Sequence, residues 1–488
     1  MTTSEAALAE THSAVVFFVG DRAYKVKKPV DLGFLDFRDR AVREATCHRE
    51  VELNRRLAPD VYLGVADVLG PDGELCDHLV VMRRMPPERR LSTLVAKGEP
   101  VDDHLWQLAH LLAAFHAKAE RSPAADRAAG VDALARRWAE NTATLLDAGH
   151  GRVDPALVRH AQKLVDRYLA GRRPLFDARI ADGRACDGHG DLMADDIFCL
   201  DDGPRVLDCI EFDDSYRLGD TLADVAFLAM DLERLGRRDL ADRFLAAYRE
   251  HADDTWSTSL AHHHVAYRAH VRAKVAAIRA AQGHEESADQ ARQLLAMAVD
   301  HLEAARVRLV VVGGLPGTGK STLAAGLADA LGATVLRSDE IRKELVGLPP
   351  TASAAAGYGE GLYGSGPTTA TYRTLLDRAE TALGLGEIVV LDASWTDPAW
   401  RAAARDLAQR AAADLVELRC TAPSDLAADR MRRRAAAGGD PSDATPEIAA
   451  AMAAAATPWP EATTIETFGP PGDALSAALQ VTAGAAHE

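Results

Sequence analysis

Residues 187–198 read "DGHGDLMADDIF". Four aspartates, two glycines and a histidine are crowded into twelve residues. A "DDG" turn at 201–203 follows, and then "RVLDCIEF" (205–212), an apolar run with strand character. Upstream, "AVVFFV" (14–19) and "GDRAYKVKK" read as two strands around a Gly-Asp turn, and "HLVVMRRM" (78–85) as another. Between them "AVREATCHREVELNRRL" (41–57) has helical spacing and ends before Pro59. "HLWQLAHLLAAFHAKA" (104–119) repeats apolar residues at three and four, the mark of a helix with one buried face. Helical pattern continues to about 170 and again over 221–300. The quoted stretch is thus a loop and hairpin set inside a helical region that follows a strand-rich one.

Near residue 303 the character of the chain changes. "RVRLVVVGGLPG" is a continuous apolar strand of the buried parallel type. It runs into a Gly-rich turn and the helix "KSTLAAGLADALG". "ATVLRSDEIRKEL", "EIVVLDASW" and "DLVELRCTAPSDLAADRMRRR" repeat the strand-then-helix plan, which argues for an α/β parallel sheet. Segments 354–369 and 435–447 have loop composition, and 449–456 is Ala-rich and helical in pattern. The expected division is a first domain over 1–303, with a strand-rich lobe at about 1–85 and a helical lobe at about 86–303, and a second domain over 304–488. A chain of 488 residues is too long for one core.

Net charge is −17, which argues against a nucleic-acid surface rich in Lys and Arg. The six cysteines form no C-x-x-C pair, and a chain of this length needs no disulfide staples, so reduced thiols in a cytoplasmic protein are expected. The first fifteen residues lack a basic segment followed by an apolar run, and no stretch of 18 apolar residues is present to cross a membrane. Nine lysines stand against 47 arginines. Three of the nine cluster at Lys25, Lys27 and Lys28, and a fourth is Lys320.

Lys320 lies in "GLPGTGKS" (314–321), which fits G-x-x-x-x-G-K-S in full, between a strand and a helix as the motif requires. Gly314, Gly317 and Gly319 let the backbone curl so that N–H groups face phosphate oxygens, with Thr318 and Thr322 in the same turn. The helix N-terminus adds partial positive charge. Lys320 is placed to reach β- and γ-phosphates, and Ser321 to ligate Mg²⁺. Asp392 ends the strand "IVVLDASW" as a second candidate for the metal or its water shell. Asp339, just past another strand, is either the acceptor of a substrate hydroxyl proton or the N-cap of its helix. Arg430 and Arg434 share a helical face and are either lid arginines or a solvated basic face. With "RSDEIRK" and "LDASW", this half resembles the small P-loop kinases that include gluconate kinases, zeta-toxin-like kinases and polynucleotide 5′-kinases. The resemblance implies transfer of a γ-phosphoryl group to a hydroxyl.

The first half resembles the aminoglycoside phosphotransferase superfamily, whose fold is protein-kinase-like, on "HGDL" (189–192). That resemblance implies that Asp191 orients or deprotonates an acceptor hydroxyl. It also implies a metal ligand at Asp196, where the family shows Asn, and a further ligand at Glu211 first or Asp208 second, where the family shows Asp. Such a fold needs a strand lysine paired with a helix glutamate. Lys25 and Lys27 share a strand face, and Glu50 is the partner, with the choice of lysine open. The whole chain resembles bacterial fusions of the two kinase types. The expectation is an ATP- and Mg²⁺-dependent phosphotransferase, bifunctional, acting on a small hydroxylated molecule. Three alternatives stand beside it: a first half that only binds or regulates, a P-loop half that only regulates, and a nucleotide-sensing protein without turnover. "AHHHVAYRAH" (261–270) carries histidines that point in several directions, so a structural or solvated role is expected. His110 and His116 read as core-edge residues in an apolar helix.

Overall fold

A computed structural model describes residues 7–10, 13–31, 36–349, 351–352, 359–437 and 441–484. Parts of the loop-like segments 354–369 and 435–447, namely 354–358 and 438–440, lie outside the described residues. The chain divides into two compact units, Met1–Arg159 with Phe176–Trp256 and His263–His301, and His160–Leu175 with Ser257–His262 and Leu302–Glu488.

In the first unit, strands β1 (Ala7–Glu10), β2 (Ala14–Val19) and β3 (Arg22–Lys27) precede helix α1 (Arg40–Asn54), and β4 (Tyr62–Leu69) and β5 (Leu75–Arg83) follow it. They form an antiparallel sheet of order β1-β2-β3-β5-β4. Asp39 caps α1 by accepting the Ala41 N–H at 2.8 Å. The apolar face of α1, with Cys47 and Val51, packs on Tyr62, Val80 and Met82. That packing turns Glu50 toward the sheet. The helix ends three residues short of the expected Leu57, where "RRLAP" leaves helical geometry.

Helices α2 (Leu91–Lys97), α3 (Asp102–Lys118), α4 (Pro123–Ala129), α5 (Val131–Ala148), α6 (Pro155–Gly171) and α7 (Arg173–Ala181) come next. Two small antiparallel pairs follow: β6 (Ala185–Asp187) with β9 (Leu218–Asp220), and β7 (Ile197–Leu200) with β8 (Gly203–Val206). Helices α8 (Thr221–Arg234), α9 (Arg238–His251), α10 (Thr258–Ala281) and α11 (Ser287–Ala304) complete this stretch. The expected strand "RVLDCIEF" stops at Val206. Beyond it the backbone bonds to partners outside any ladder. The Asp208 N–H donates to the Tyr62 hydroxyl at 3.1 Å and the Cys209 N–H to Asn54 Oδ1 at 2.9 Å. Asp208 takes φ +65°, a left-handed conformation that is strained for a non-glycine residue and concentrates at functional sites.

The second unit is built on β10 (Arg308–Gly313), α12 (Lys320–Leu331), β11 (Thr334–Arg337), α13 (Ser338–Glu344), α14 (Ser365–Gly384), β12 (Val389–Asp392), α15 (Pro398–Arg410), β13 (Asp414–Thr421), α16 (Ser424–Ala437), α17 (Pro446–Ala455), β14 (Thr463–Glu466) and α18 (Pro471–Gly484). Its five strands are all parallel, in the order β11-β12-β10-β13-β14. Val310, Val312, Val390, Val416 and Leu418 fill the core against Leu323, Ala324 and Leu327 of α12. Residues 160–175 group with this unit because Arg172 is buried there, donating to the carbonyls of Leu383 and Ala411.

Candidate active sites

The loop that carries Asp191 is held from below by one carboxylate. Asp224, near the start of α8, accepts the backbone N–H groups of His189 and Gly190, each at 2.8 Å, and faces His116 Nε2 at 3.0 Å. His116 Nδ1 in turn meets the Tyr248 hydroxyl at 2.8 Å. Burial opposes charge on Asp224, but the His116 and His189 contacts outweigh it and hold the carboxyl well below its usual range. His189 is fully buried, and that burial drives its imidazole down to about 4, so the ring is neutral and its Nε2 faces the Leu207 carbonyl at 3.1 Å. Arg56 spans from the end of α1 to the Gly188 carbonyl at 2.9 Å. Asp231 accepts the Ala194 N–H at 2.9 Å. The sequence reading places His116 at the core edge and does not single out Asp224 or Asp231. The signal that could have found them was an acidic residue among the apolar residues of a buried helix, since buried charges have partners.

Asp191 lies half-buried on this frame, and burial pushes its carboxyl up to about 6 against the pull of Arg272 and Arg268. Asp196 is raised well above the ordinary carboxylate value, first by burial and then by Asp208 and Asp191. Those three carboxylates therefore share one field. Across from them, both strand lysines are used. Lys25 Nζ meets Glu50 at 2.9 Å and Asp208 at 2.5 Å, while Lys27 Nζ meets Glu50 at 2.5 Å and also pairs with Glu211. Lys25 opposes Val16 and Val80 in the sheet register, and Lys27 lies two residues on, so both project to one face. The Lys25 side chain is 13% exposed and Lys27 only 1%. Lys25 therefore reaches the cleft and Lys27 does not. Asp208 is lowered chiefly by Lys25, and Glu211 is raised because burial outweighs Lys27. Asp208 thus joins Asp196 and Asp191 in one field, whereas Glu211 spends its oxygen on a buried lysine.

Among the described residues no group of three or more His, Cys, Asp or Glu side chains stands ready as a metal cage. Mg²⁺ on a nucleotide needs only one or two carboxylates, the phosphates supplying the rest. Asp196 and Asp208 fit that need as hard oxygen donors whose mutual repulsion a cation would relieve.

In the second unit β10 runs into the Gly-rich loop and α12 begins at Lys320, with Gly319 at φ +81° as its N-cap. Gly317 has φ +77°, and a Cβ there would lie 2.4 Å from the Ala427 carbonyl oxygen, so only glycine fits. Thr318 donates its hydroxyl to the Leu315 carbonyl at 2.8 Å, and its own carbonyl accepts the Thr467 hydroxyl at 2.5 Å. Ser321 and Thr322 stand in the first turn of α12. Asp392, 4% exposed, ends β12 beside the loop; Arg337 reaches its Oδ2 at 3.3 Å, and its buried Oδ1 has no hydrogen-bond partner. An orphaned buried carboxylate oxygen at the end of the strand neighbouring the loop fits a metal or its water shell.

Asp339 sits in the first turn of α13, half-buried, and its charge acts on Tyr363 and Tyr372. The helix N-cap is Arg337 without a side-chain cap bond, so the capping alternative for Asp339 does not describe this helix. Arg430 donates to the Thr467 carbonyl at 2.7 Å and approaches the Gly317 carbonyl at 3.5 Å, which anchors it against the phosphate loop. Arg434 lies one turn on along α16, half-buried. A cavity of about 410 Å³ opens beside the loop, lined by Gly319, Thr322, Arg430, Thr467, Pro471 and Leu475 among others.

Among the described residues no helix is long and apolar enough to cross a membrane, and the six cysteines are unpaired. The buried histidines His263 and His270 pack around Trp138, an aromatic cluster.

Comparison with known proteins follows the same division. The family described as "Phosphotransferase enzyme family" matches residues 7–260, and an "AAA domain" matches 309–459. The uncharacterized protein Rv2004c of Mycobacterium tuberculosis is 46% identical over 461 residues, spanning 94% of this chain and 92% of that protein, and Mb2027c of Mycobacterium bovis gives the same figures. Among solved structures, a choline/ethanolamine kinase family protein from Mesorhizobium loti covers 62% of this chain and 92% of its own at 15% identity and a TM-score of 0.39. A gluconokinase from Sinorhizobium meliloti 1021 covers 36% and 92% at 18% identity and a TM-score of 0.27. The chain belongs to the phosphotransferase enzyme family, with a P-loop domain that matches the AAA family model following in the same polypeptide.

Proposed function

We propose that the protein is an ATP- and Mg²⁺-dependent phosphotransferase with two working sites, each handing a γ-phosphoryl group to a hydroxyl of a small molecule. The observation that carries this reading is the first site's charge layout: Lys25 tied to Glu50 and facing Asp208, with Asp196 and Asp191 in the same field. A domain kept only for binding would gain nothing from crowding that many ionisable groups together, since desolvation and like-charge repulsion cost free energy. When bound, Mg·ATP supplies the electrophilic phosphorus and charge neutralisation.

In the first unit, Lys25 holds nucleotide phosphate while Glu50 fixes the lysine's position. Asp196 and Asp208 offer oxygen donors to the metal. Asp191 accepts the acceptor hydroxyl's proton, a role suited to a carboxyl raised toward neutral pH. In the second unit, backbone N–H groups of 314–321 and Lys320 cradle the phosphates. Ser321 and Asp392 serve the metal, and Asp339 takes the proton. Arg430 braces the loop, and Arg434 meets the transferring group. The absence of any membrane-crossing helix among the described residues and the unpaired cysteines support a cytoplasmic location.

The test uses Asp191→Ala and Lys320→Ala separately in the full chain. ATP consumption and phosphorylated product are followed over sugars, aminoglycosides and nucleosides. Each substitution should abolish transfer to one set of acceptors and spare the other. A first site that contributes nothing to any transfer is shown by an Asp191→Ala protein that matches the unaltered chain throughout.

A further inference from the structure

Two cations on α10, Arg268 and Arg272, stand beside Asp191 and have no part in the chemistry described so far; Arg137 on α5 and Lys274 on α10 lie where the two helices meet. Arg268 donates through Nε to the Ala223 carbonyl at 2.9 Å, and its Nη1 lies 3.5 Å from the carbonyl of Gly190, the residue before Asp191. Arg272 is one turn further along the same face of α10, and both arginines act electrostatically on Asp191. Lys274 Nζ donates to Asn141 Oδ1 on α5 at 2.6 Å, which ties the two helices together. Arg137 and Arg268 line a narrow cavity of about 40 Å³ with Tyr216 and Tyr267. All four cations are half-exposed, and among the described residues none forms an ion pair with a carboxylate.

The carboxylates nearby are engaged elsewhere. Asp224 holds the His189–Gly190 backbone, and Asp220 is bound by Arg179. Asp231 holds Ala194 N–H and Arg234. Asp213 accepts the Ser215 N–H, and Asp214 pairs with Arg217 and Arg49. That leaves exposed Glu140 on α5 as the acidic group acting on Lys274. In a chain of net charge −17, an excess of unpaired cations at one spot runs against the overall balance. Such an excess next to a proton acceptor repels ammonium-bearing molecules and attracts anions.

We propose that the acceptor pocket of the first unit takes a hydroxyl compound bearing a phosphate or carboxylate group, held by Arg268 and Arg272 while its hydroxyl faces Asp191. This rests on Asp191 acting as the proton acceptor. Partial burial of Arg268 lowers its guanidinium from the usual value, so an anion at that point relieves a desolvated charge.

The test silences the P-loop half with Lys320→Ala in the full chain and measures both binding by calorimetry and phosphoryl transfer. The probes are matched sets: glycerol, glycerate and glycerol 3-phosphate; glucose, gluconate and glucose 6-phosphate; and the cations choline and kanamycin. At least one anionic member should bind about tenfold or more tightly than its neutral partner, a difference of about 1.4 kcal/mol. Arg272→Glu and, separately, Arg268→Glu should each erase that preference, and high salt should weaken it. The carboxylate and phosphate arms show which anion is taken. Equal binding across each set, no binding by any anionic member, tighter binding of the cations, or a preference that survives both reversals overturns the proposal. If anion preference holds and no phosphoryl is transferred, the proposal stands as a binding site and the phosphotransfer reading of Asp191 fails instead.

Discussion

Asp224 accepts the backbone N–H of His189 through one oxygen and that of Gly190 through the other, both at 2.8 Å, so one buried carboxylate sets the path of the loop leading to Asp191. The neutral, fully buried His189 fixes the same loop from the other side through the Leu207 carbonyl. The Asp191 carboxyl is therefore placed by groups that never touch substrate.

Asp224→Ala leaves His116 and two buried N–H groups without their partner. The expected loss is about 3–5 kcal/mol of stability, as for breaking other buried charged pairs. Asp224→Asn keeps the shape but offers one acceptor atom where two are used. Its fold should survive, with kcat at the first site down on the order of 10²-fold through misplacement of Asp191. Thermal melting and transfer assays check both. An Asn variant with unaltered kcat separates Asp224 from the positioning of Asp191.

Lys25 and Lys27 share Glu50 but differ in setting, and that difference predicts different losses. Lys25 also faces Asp208 and reaches the cleft, so Lys25→Met should cut kcat/KM for ATP on the order of 10²-fold. Lys27 is 1% exposed and pairs with Glu50 and Glu211, so Lys27→Met strands Glu211 and leaves Glu50 with Lys25 alone. Its main effect should be a loss of about 3 kcal/mol or more in stability. Urea unfolding and nucleotide titration distinguish the two. The reverse pattern assigns the nucleotide to Lys27.

The same pair shows what was legible in the sequence. Strand alternation placed both lysines on one face, and the family resemblance put Glu50 forward as their partner, but neither could choose between Lys25 and Lys27. That choice depends on depth in a cleft, a tertiary property. The phosphate loop was readable because its function lies in a local backbone path that glycines at 314, 317 and 319 encode directly. The order of Glu211 over Asp208 came from the family resemblance. In the fold Asp208 faces the carboxylate group while Glu211 turns to Lys27, and the strained φ of Asp208 has no local sequence signal. Strands β1, β4 and β14 also went unread, because short or edge strands with mixed patterns owe their place to the neighbours they pair with.

The pH profile of the first site follows from Asp191. Burial raises its carboxyl to about 6, so it binds a proton below that pH and can no longer accept one from the acceptor. With Lys320→Ala silencing the second unit, kcat/KM should be level above pH about 7 and fall about tenfold per unit below about 6. A Lys25 that stays charged throughout cannot produce this limb, because its ammonium is raised: burial opposes the charge but Asp208 and Glu50 outweigh it. Activity that stays level down to pH about 4.5, near the ordinary carboxylate range, removes Asp191 as the proton acceptor.

Asp392 gives the sharpest test of the second unit. Its Oδ1 is buried without a hydrogen bond, and Arg337 approaches only Oδ2. A buried charge that is short of partners destabilises the fold, so a protein retains it where something else uses it. Asp392→Asn removes the charge with little change of volume. If the carboxylate serves the metal, the substitution should lower Mg²⁺-dependent turnover at the P-loop on the order of 10²-fold and raise the Mg²⁺ needed for half-maximal rate. The melting temperature should hold steady or rise, because no satisfied hydrogen bond to Oδ1 is lost. A structural role for Asp392 through Arg337 predicts the opposite pairing, a lowered melting temperature with an unchanged Mg²⁺ requirement. Turnover measured against Mg²⁺ concentration, alongside calorimetric melting of the same preparation, separates the two.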